Sequence, residues 1–261
     1  MARIGNMTER HNKLLDILAV ESAVSVTRLS ALLDVSKETV RKDLDKLEKE
    51  GKISRIHGGA ARIDRAQRIP FQVRESIAGE EKQRVASAAI HLIPENERII
   101  IEGSTTSLFL CNELLNNLQL LKTLTIITDS LRIMQLLNNG EKCASLIFLG
   151  GLIDVEEERT RGYQTVEALK AYHADKAFIS AAALDGEMNI TAYREDDMLF
   201  QKQVVCSATK TYVMVNRSKY PLSALYFVCS AHRLNGIITD GTLEPHAIKL
   251  LQQHDTELIQ A

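Results

Sequence analysis

In the first fifty residues, apolar side chains recur three and four positions apart. Leu14, Ile17 and Leu18 set a helix over residues 8–21, with Thr8 placed to cap its first turn and Glu9 to complement its dipole. After a break at residues 22–25, Val26 to Leu33 reads as a helix of barely two turns with Thr27 as its cap. A four-residue connection, Leu33-Asp34-Val35-Ser36, leads to a third helix that Ser36 caps and that runs to about Glu50. Its apolar positions Val40, Leu44 and Leu47 stand at i, i+4 and i+7 and must face the first two helices. Gly51 is placed to end it in a left-handed conformation. The pattern then changes period: Lys52 to Ala61 alternates apolar and polar around Gly58-Gly59, which predicts a two-stranded wing.

Residues 62–79 carry Arg62, Arg65, Arg68, Arg74, Pro70 and Gly79 without clean periodicity and read as a linker. Beyond it, helical spacing in Val85, Ala88, Ala89 and Leu92 gives way to continuous apolar runs at 99–101, 124–127, 146–149, 177–181, 212–215, 226–228 and 237–238. Helical stretches at 107–115, 131–137, 166–172, 198–208 and 245–253 lie between most of them. The chain is therefore expected to be multidomain: a small α+β winged helix-turn-helix domain over 1–61, the linker over 62–79, and a larger α/β domain with a mainly parallel sheet over 80–261.

The length of 261 residues suits two unequal units, and 45% hydrophobic with 25% charged residues excludes a disordered chain or a rod. With no apolar stretch of membrane-spanning length and no signal-peptide pattern at the start, a cytoplasmic location without membrane partners is expected. Cys111, Cys143, Cys206 and Cys229 lie far apart without metal spacing and read as small core residues; no metal is expected. The net charge of −2 conceals an asymmetry: residues 1–74 hold 15 Lys/Arg against 10 Asp/Glu, the remainder 17 against 24. A basic small unit points to a polyanion as its partner.

On the face of the third helix opposite its apolar stripe lie Lys37, Arg41 and Lys42, with Ser36 and Thr39 near its start. A recognition helix puts its first turns into the DNA major groove, where Arg and Lys bond guanine edges and Ser or Thr reach bases or phosphates, so these five are candidate DNA contacts. The same residues would also suit a solvated face with Arg41 paired to Glu38 or Asp45. Arg55 and His57 on the wing can lie along a phosphate backbone, although His57 could equally be a turn residue bonding its own loop.

In the larger unit, ligands are expected beyond the carboxyl ends of strands. The first strand is followed by Glu102-Gly103-Ser104-Thr105-Thr106-Ser107 and a helix, so that small residues, unpaired N–H groups and hydroxyls suit a phosphate dianion at Gly103, Ser104, Thr105 and Thr106. By itself such a turn is also what a well-capped helix looks like. Neither a Walker loop nor a dinucleotide turn is present, so no cofactor is expected. Asp129, Gly150 and Gly151 at other strand ends, Lys219 after its strand and Lys202 on the preceding helix complete the candidate effector site. Either lysine could equally be an ordinary surface residue.

The run Ser36-Lys37-Glu38-Thr39-Val40-Arg41-Lys42-Asp43-Leu44, with Leu47, Gly51, Arg55 and His57-Gly58-Gly59-Ala60, resembles the winged helix of the DeoR family of bacterial transcriptional regulators, with Arg10, Leu14 and Leu18 matching upstream. Gly103-Ser104-Thr105-Thr106, Thr128-Asp129-Ser130, Gly150-Gly151, Ala174 to Ile179, Ser218-Lys219 and Ile238-Thr239-Asp240 are similar to the carboxy-terminal domain of the same family. The resemblance implies a repressor of a carbohydrate-utilisation operon that binds operator DNA, senses a phosphorylated sugar on a domain similar to ribose-5-phosphate isomerase, and forms a homodimer or homotetramer. Activation in place of repression would depend on where the operator lies. The chain departs from the family pattern at Asp129, where Asn is usual, at Asn216, where Asp is usual, and at Glu102 before the glycine. An added carboxylate at Asp129 repels a dianion unless it bonds a sugar hydroxyl.

The rival reading is a sugar-phosphate isomerase with a DNA-binding appendage, which would need a carboxylate base near a lysine. Glu195 and Lys202 are present, but the acidic cluster expected by analogy with that enzyme is reduced to Asp175 and Asp185. The chain is therefore not expected to be an enzyme.

Overall fold

The computed structural model describes residues 7–21, 23–49, 52–56, 58–62, 71–138 and 143–261, which divide into two compact units after Ile77. In the first, helices α1 (Met7–Val20), α2 (Val26–Leu33) and α3 (Lys37–Lys49) enclose a core of Leu14, Leu18, Leu29, Leu33, Val40, Leu44 and Leu47, each at most 1% exposed. Strands β1 (Ala23–Ser25), β2 (Ile53–Ile56) and β3 (Gly59–Arg62) form an antiparallel sheet in the order β1-β3-β2. β1 is one strand more than the alternation predicts, because three residues are too short to show a period. Its crossing explains Gly59: a Cβ there would stand 2.2 Å from the Val24 carbonyl oxygen.

Local chemistry moves two caps. α2 begins at Val26 as expected, but the Ser25 hydroxyl accepts from the Arg28 N–H at 3.2 Å, so Ser25 and not Thr27 is its cap. Thr8 lies inside α1 and does not precede it. Ser36 does cap α3, accepting from the Thr39 N–H at 3.1 Å. Gly51, the expected end of that helix, lies outside the described residues. Within the stretch read as a linker, Phe71–Ser76 forms a short helix, α4, with Phe71 buried and the Arg74 guanidinium 5.5 Å from its ring centre.

The second unit runs α5 (Gly79–Ala89), β4 (Arg98–Ile101), α6 (Thr105–Asn116), α7 (Leu118–Leu121), β5 (Thr125–Thr128), α8 (Leu131–Asn138), β6 (Ser145–Phe148), a hairpin of β7 (Leu152–Asp154) and β8 (Arg159–Arg161), α9 (Tyr163–Lys170), β9 (Ala174–Ser180), β10 (Ala183–Leu184), β11 (Ile190–Ala192), α10 (Glu195–Cys206), β12 (Ala208–Val215), β13 (Tyr226–Cys229), β14 (Gly236–Thr239), α11 (Pro245–Gln253) and β15 (Glu257–Gln260). Seven strands form one parallel sheet in the order β15-β14-β12-β9-β4-β5-β6, the α/β layer that the apolar runs predict. The exception is β13, which leaves that sheet and pairs antiparallel with β11 in a separate small sheet, β10-β11-β13. Residues 226–228 are apolar as a parallel strand would be, and only pairing tells the two apart.

Sequence order advances from β4 through β5 to β6 in one direction and from β9 through β12, β14 and β15 in the other. The direction of winding therefore reverses between β4 and β9, which is where open α/β sheets leave a crevice at their carboxyl edge. Of the cysteines, Cys111 and Cys229 are buried, but Cys206 at the end of α10 is exposed, so it is not a core residue. Among the described residues no helix is long and apolar enough to cross a membrane.

Candidate functional site

The outer face of α3 is built by the burial of its inner one. Val40, Leu44 and Leu47 point into the core, and Asp43 beside them is tied to α1: Arg10 donates to it at 2.5 and 3.0 Å, and His11 Nε2 lies 3.0 Å from Oδ1. Burial would raise the Asp43 carboxyl, but the hydrogen bonds and charges of Arg10 and His11 outweigh it and hold it below its ordinary value. A second buried carboxylate, Glu21, is bonded in the same way by Arg28 of α2 at 2.7 and 2.8 Å. The three helices are thus fixed by apolar contact and by two carboxylate–arginine forks.

Lys37, Arg41 and Lys42 are left on the solvent side, all exposed, with Ser36 and Thr39 at the start of the helix, their hydroxyls 2.9 Å apart. Lys42 lies 3.6 Å from Glu38, both 77% exposed, a pair worth little and easily exchanged for a phosphate. Arg41 makes no ion pair with a described residue, so the pairing with Glu38 or Asp45 considered from the sequence is not seen. Asp45 is taken by Arg55 of β2 at 2.7 Å, and Arg55 also reaches the Arg41 carbonyl at 3.4 Å. Arg55 therefore lies beside the outer face of α3. His57 lies outside the described residues.

In the larger unit, the candidate effector residues gather at the carboxyl edge of the parallel sheet. Ser104 caps α6, its hydroxyl accepting from the Ser107 N–H at 3.0 Å, while Thr105 and Thr106 occupy the first helical positions and are buried. Asp129 ends the neighbouring strand and turns inward: Oδ1 accepts from the Gly103 N–H at 2.7 Å, and the residue is 1% exposed. One backbone donor expected to face a phosphate is therefore already bonded to a carboxylate. A side chain at Gly103 would crowd its neighbours, because a Cβ would meet the Ser130 Cβ at 3.0 Å and Arg159 Cδ and Asp129 Oδ1 at 3.3 Å. Gly150 faces open space and Gly151 backs onto Thr165, both between β6 and β7. Lys219 closes a short 3-10 turn after β12 on the same edge. Lys202 is not brought there: it sits on α10 with Nζ 5.9 Å from the ring centre of Phe227, an exposed residue of the small sheet.

The sequence reading missed the side chain that ties these parts together. Arg159 on β8 is 8% exposed, with Nη1 3.6 Å from Asp129 Oδ2 and 3.8 Å from Glu102 Oε1, and Nη2 bonded to Asp197 of α10. Nothing in the spacing of residues 152–161 announces that this hairpin folds back, but Thr160 donates to the Asp129 carbonyl at 2.9 Å and the Leu131 N–H to that of Glu158 at 2.9 Å. Glu102 is also buried; it accepts from the Ser180 N–H and from Gln201 Nε2, each at 2.8 Å. Burial, with Asp129 nearby, pushes the Glu102 carboxyl up to about 8 against the pull of Arg159 and its hydrogen bonds, and burial raises Asp129 as well. Beside it, Arg161 and Arg194 share Asp154 and Asp196, so the start of α10 is clasped to the hairpin by three arginines.

The arrangement does not suit isomerisation. Asp175 is bonded to Arg98 at the opposite, amino edge of the sheet, Asp185 closes a turn by accepting from the Glu187 and Asn189 N–H groups, and Lys202 faces elsewhere.

The chain is similar throughout to known regulators. The family model described as the DeoR C terminal sensor domain matches residues 77–241, and that of the DeoR-like helix-turn-helix domain matches residues 10–66. An uncharacterized HTH-type transcriptional regulator, YulB, of Bacillus subtilis (strain 168) is 31% identical over 247 residues, covering 94% of this chain and 93% of that protein. The HTH-type transcriptional repressors GlcR of the same organism and CsqR of Escherichia coli (strain K12) are each 29% identical, covering 96% of this chain and 95% and 94% of theirs. A ribose 5-phosphate isomerase structure from Methanocaldococcus jannaschii aligns over 54% of each chain with a TM-score of 0.38 and 21% identity, too distant to bear on chemistry. The basic outer face of α3 and the match of both domains lead to one conclusion: the chain belongs to the DeoR family of helix-turn-helix transcriptional regulators, proteins that bind DNA and are not enzymes.

Proposed function

We propose that the protein is a cytoplasmic repressor of a carbohydrate-utilisation operon, acting as a homodimer or homotetramer, whose hold on its operator is weakened by a phosphorylated sugar. The observation that carries this reading is the coincidence, at the switch point of the sheet, of a capped helix start at Ser104, a glycine closely packed by its neighbours, and a buried arginine. The remaining first-turn N–H groups of α6 and Lys219 suit a phosphate, and Asp129, Gly150 and Gly151 suit the hydroxyl-bearing part of a sugar. Repression is the activity named for GlcR and CsqR, similar along nearly their whole length. Exposed Leu152, Ile153, Val155, Leu225 and Phe227 offer apolar surface for self-association, which a single winged helix needs in order to read a long enough site.

In this reading Ser36, Lys37, Thr39, Arg41, Lys42 and Arg55 meet DNA. Arg41→Ala should cost about 1–3 kcal/mol of operator binding while leaving the fold intact, as expected for an arginine on a guanine edge. Lys42→Ala should instead lower the salt slope of binding by about one unit on any sequence. Gel-shift titrations at several salt concentrations separate the two; an Arg41→Ala protein that binds operator like the parent would remove Arg41 from the base-reading face.

A further inference from the structure

We propose that Arg159 is the residue that detects the effector's negative charge, and that it does so by exchanging Asp197 of α10 for the ligand's phosphate. This rests on the effector site described above and assigns it a residue and a mode of action.

Three observations converge on Arg159. Its side chain lies against the turn that follows β4, with Cδ 3.3 Å from where a Cβ of residue 103 would stand. It is more than nine-tenths buried, yet its Nε has no hydrogen-bond acceptor among the described residues, and Oδ2 of the equally buried Asp129, 3.6 Å from Nη1, has no donor. An open buried donor and an open buried acceptor on two neighbouring side chains are what a group that both accepts and donates would satisfy, as a sugar hydroxyl does. Finally, the strong contact of Arg159 is with Asp197, which is more exposed than Asp129 or Glu102.

The charges favour an exchange. Around one guanidinium stand Glu102, Asp129 and Asp197, and of the three only Asp197 is in hydrogen-bond contact with it, Asp129 and Glu102 standing off at 3.6 and 3.8 Å. A phosphate dianion offers more charge and a bidentate geometry to the same guanidinium. Asp197, once released, stays in the first turn of α10, where the helix dipole and solvent accommodate it. The backbone of Arg159 need not move: its neighbours Glu158 and Thr160 are bonded to Leu131 and Asp129, and Ser130 bridges to Arg159 itself. Meanwhile Arg161 and Arg194 keep their carboxylates, so one link in the clasp between the hairpin and α10 changes partner while the rest hold. A neutral sugar could not compete with Asp197 and would leave this link closed.

The test uses the full chain and a stated panel of pentose and hexose phosphates, with inorganic phosphate alongside, read by calorimetric titration. For the panel member that binds the parent, Asp197→Asn should tighten binding by roughly tenfold, because the competing anion is gone, and Arg159→Gln should weaken it by roughly a hundredfold. Asp197→Asn carries the weight, since an improved affinity cannot come from misfolding, and operator binding without ligand serves as the fold control for both variants. If the parent binds a sugar phosphate and Asp197→Asn binds it no better, the exchange is wrong while the effector site stands. Should no panel member bind the parent, the sugar-phosphate reading fails and this proposal falls with it.

Discussion

Replacing Asp43 with alanine is expected to destabilise the small unit by about 3 kcal/mol or more, enough to unfold a domain of this size and abolish operator binding. The side chain is 6% exposed and accepts from both Arg10 and His11. Removing it leaves the Arg10 guanidinium, 14% exposed, without its counter-charge, and that uncompensated burial is the larger part of the cost. A double variant, Arg10→Met with Asp43→Leu, removes both charges and should recover much of the loss, since a buried pair is weak support compared with a well-packed apolar one. Acid should act in the same direction. The folded Asp43 carboxyl is held below its ordinary value, so its contribution is present above the ordinary carboxylate range and is lost as pH falls through the folded value. Urea unfolding of the parent and both variants checks this. A single variant as stable as the parent would mean that apolar packing alone fixes α1 against α3.

The second large effect is expected in alkali and in the other unit. Glu102 is pushed up to about 8 by burial, so its folded value stands above its ordinary one of 4.5. A group raised in this way contributes fully below its unfolded value and loses that contribution as pH rises through the folded one. The larger unit should therefore lose about 2 kcal/mol or more between pH 6 and pH 9, and Asp129, raised by burial as well, acts with the same sign. The groups that face Glu102 are Arg159 on β8, Asp129 after β5, the Ser180 N–H and Gln201 on α10. Glu102→Gln removes the titrating proton, and its urea midpoint should change little over the same range. If the parent is equally stable at both values, Glu102 is ionised in the fold and the buried site carries more negative charge than we infer.

How far the sequence could be read follows from the range of each signal. The helices of the first unit and the alternation of strands and helices in the second are local patterns, visible in Val40, Leu44 and Leu47 or in Ile99 to Ile101, and the structure has them where the periods put them. Strand partnership is not local: Tyr226 to Val228 looks like any buried strand, and only its register with β11 places it outside the main sheet. The same limit applies to the site. Gly103 and Ser104 are legible because a capped turn after a strand is written in consecutive residues, whereas Arg159 arrives on a separate hairpin, well beyond Asp129 in sequence. Lys202 is legible only as a helical lysine near the right strands, and a helix has several faces: this one turns its lysine to Phe227 while Gln201 beside it reaches Glu102.

Calorimetric titration of the full-length protein with a sugar phosphate and with its unphosphorylated parent sugar, each with and without saturating operator DNA, tests the central claim most directly. A switch of this kind binds the phosphate ester alone, with an affinity lowered by about 5- to 150-fold when operator is present, because coupling between two sites is reciprocal. Equal binding of the free sugar, or an affinity that operator DNA leaves unchanged, would contradict it.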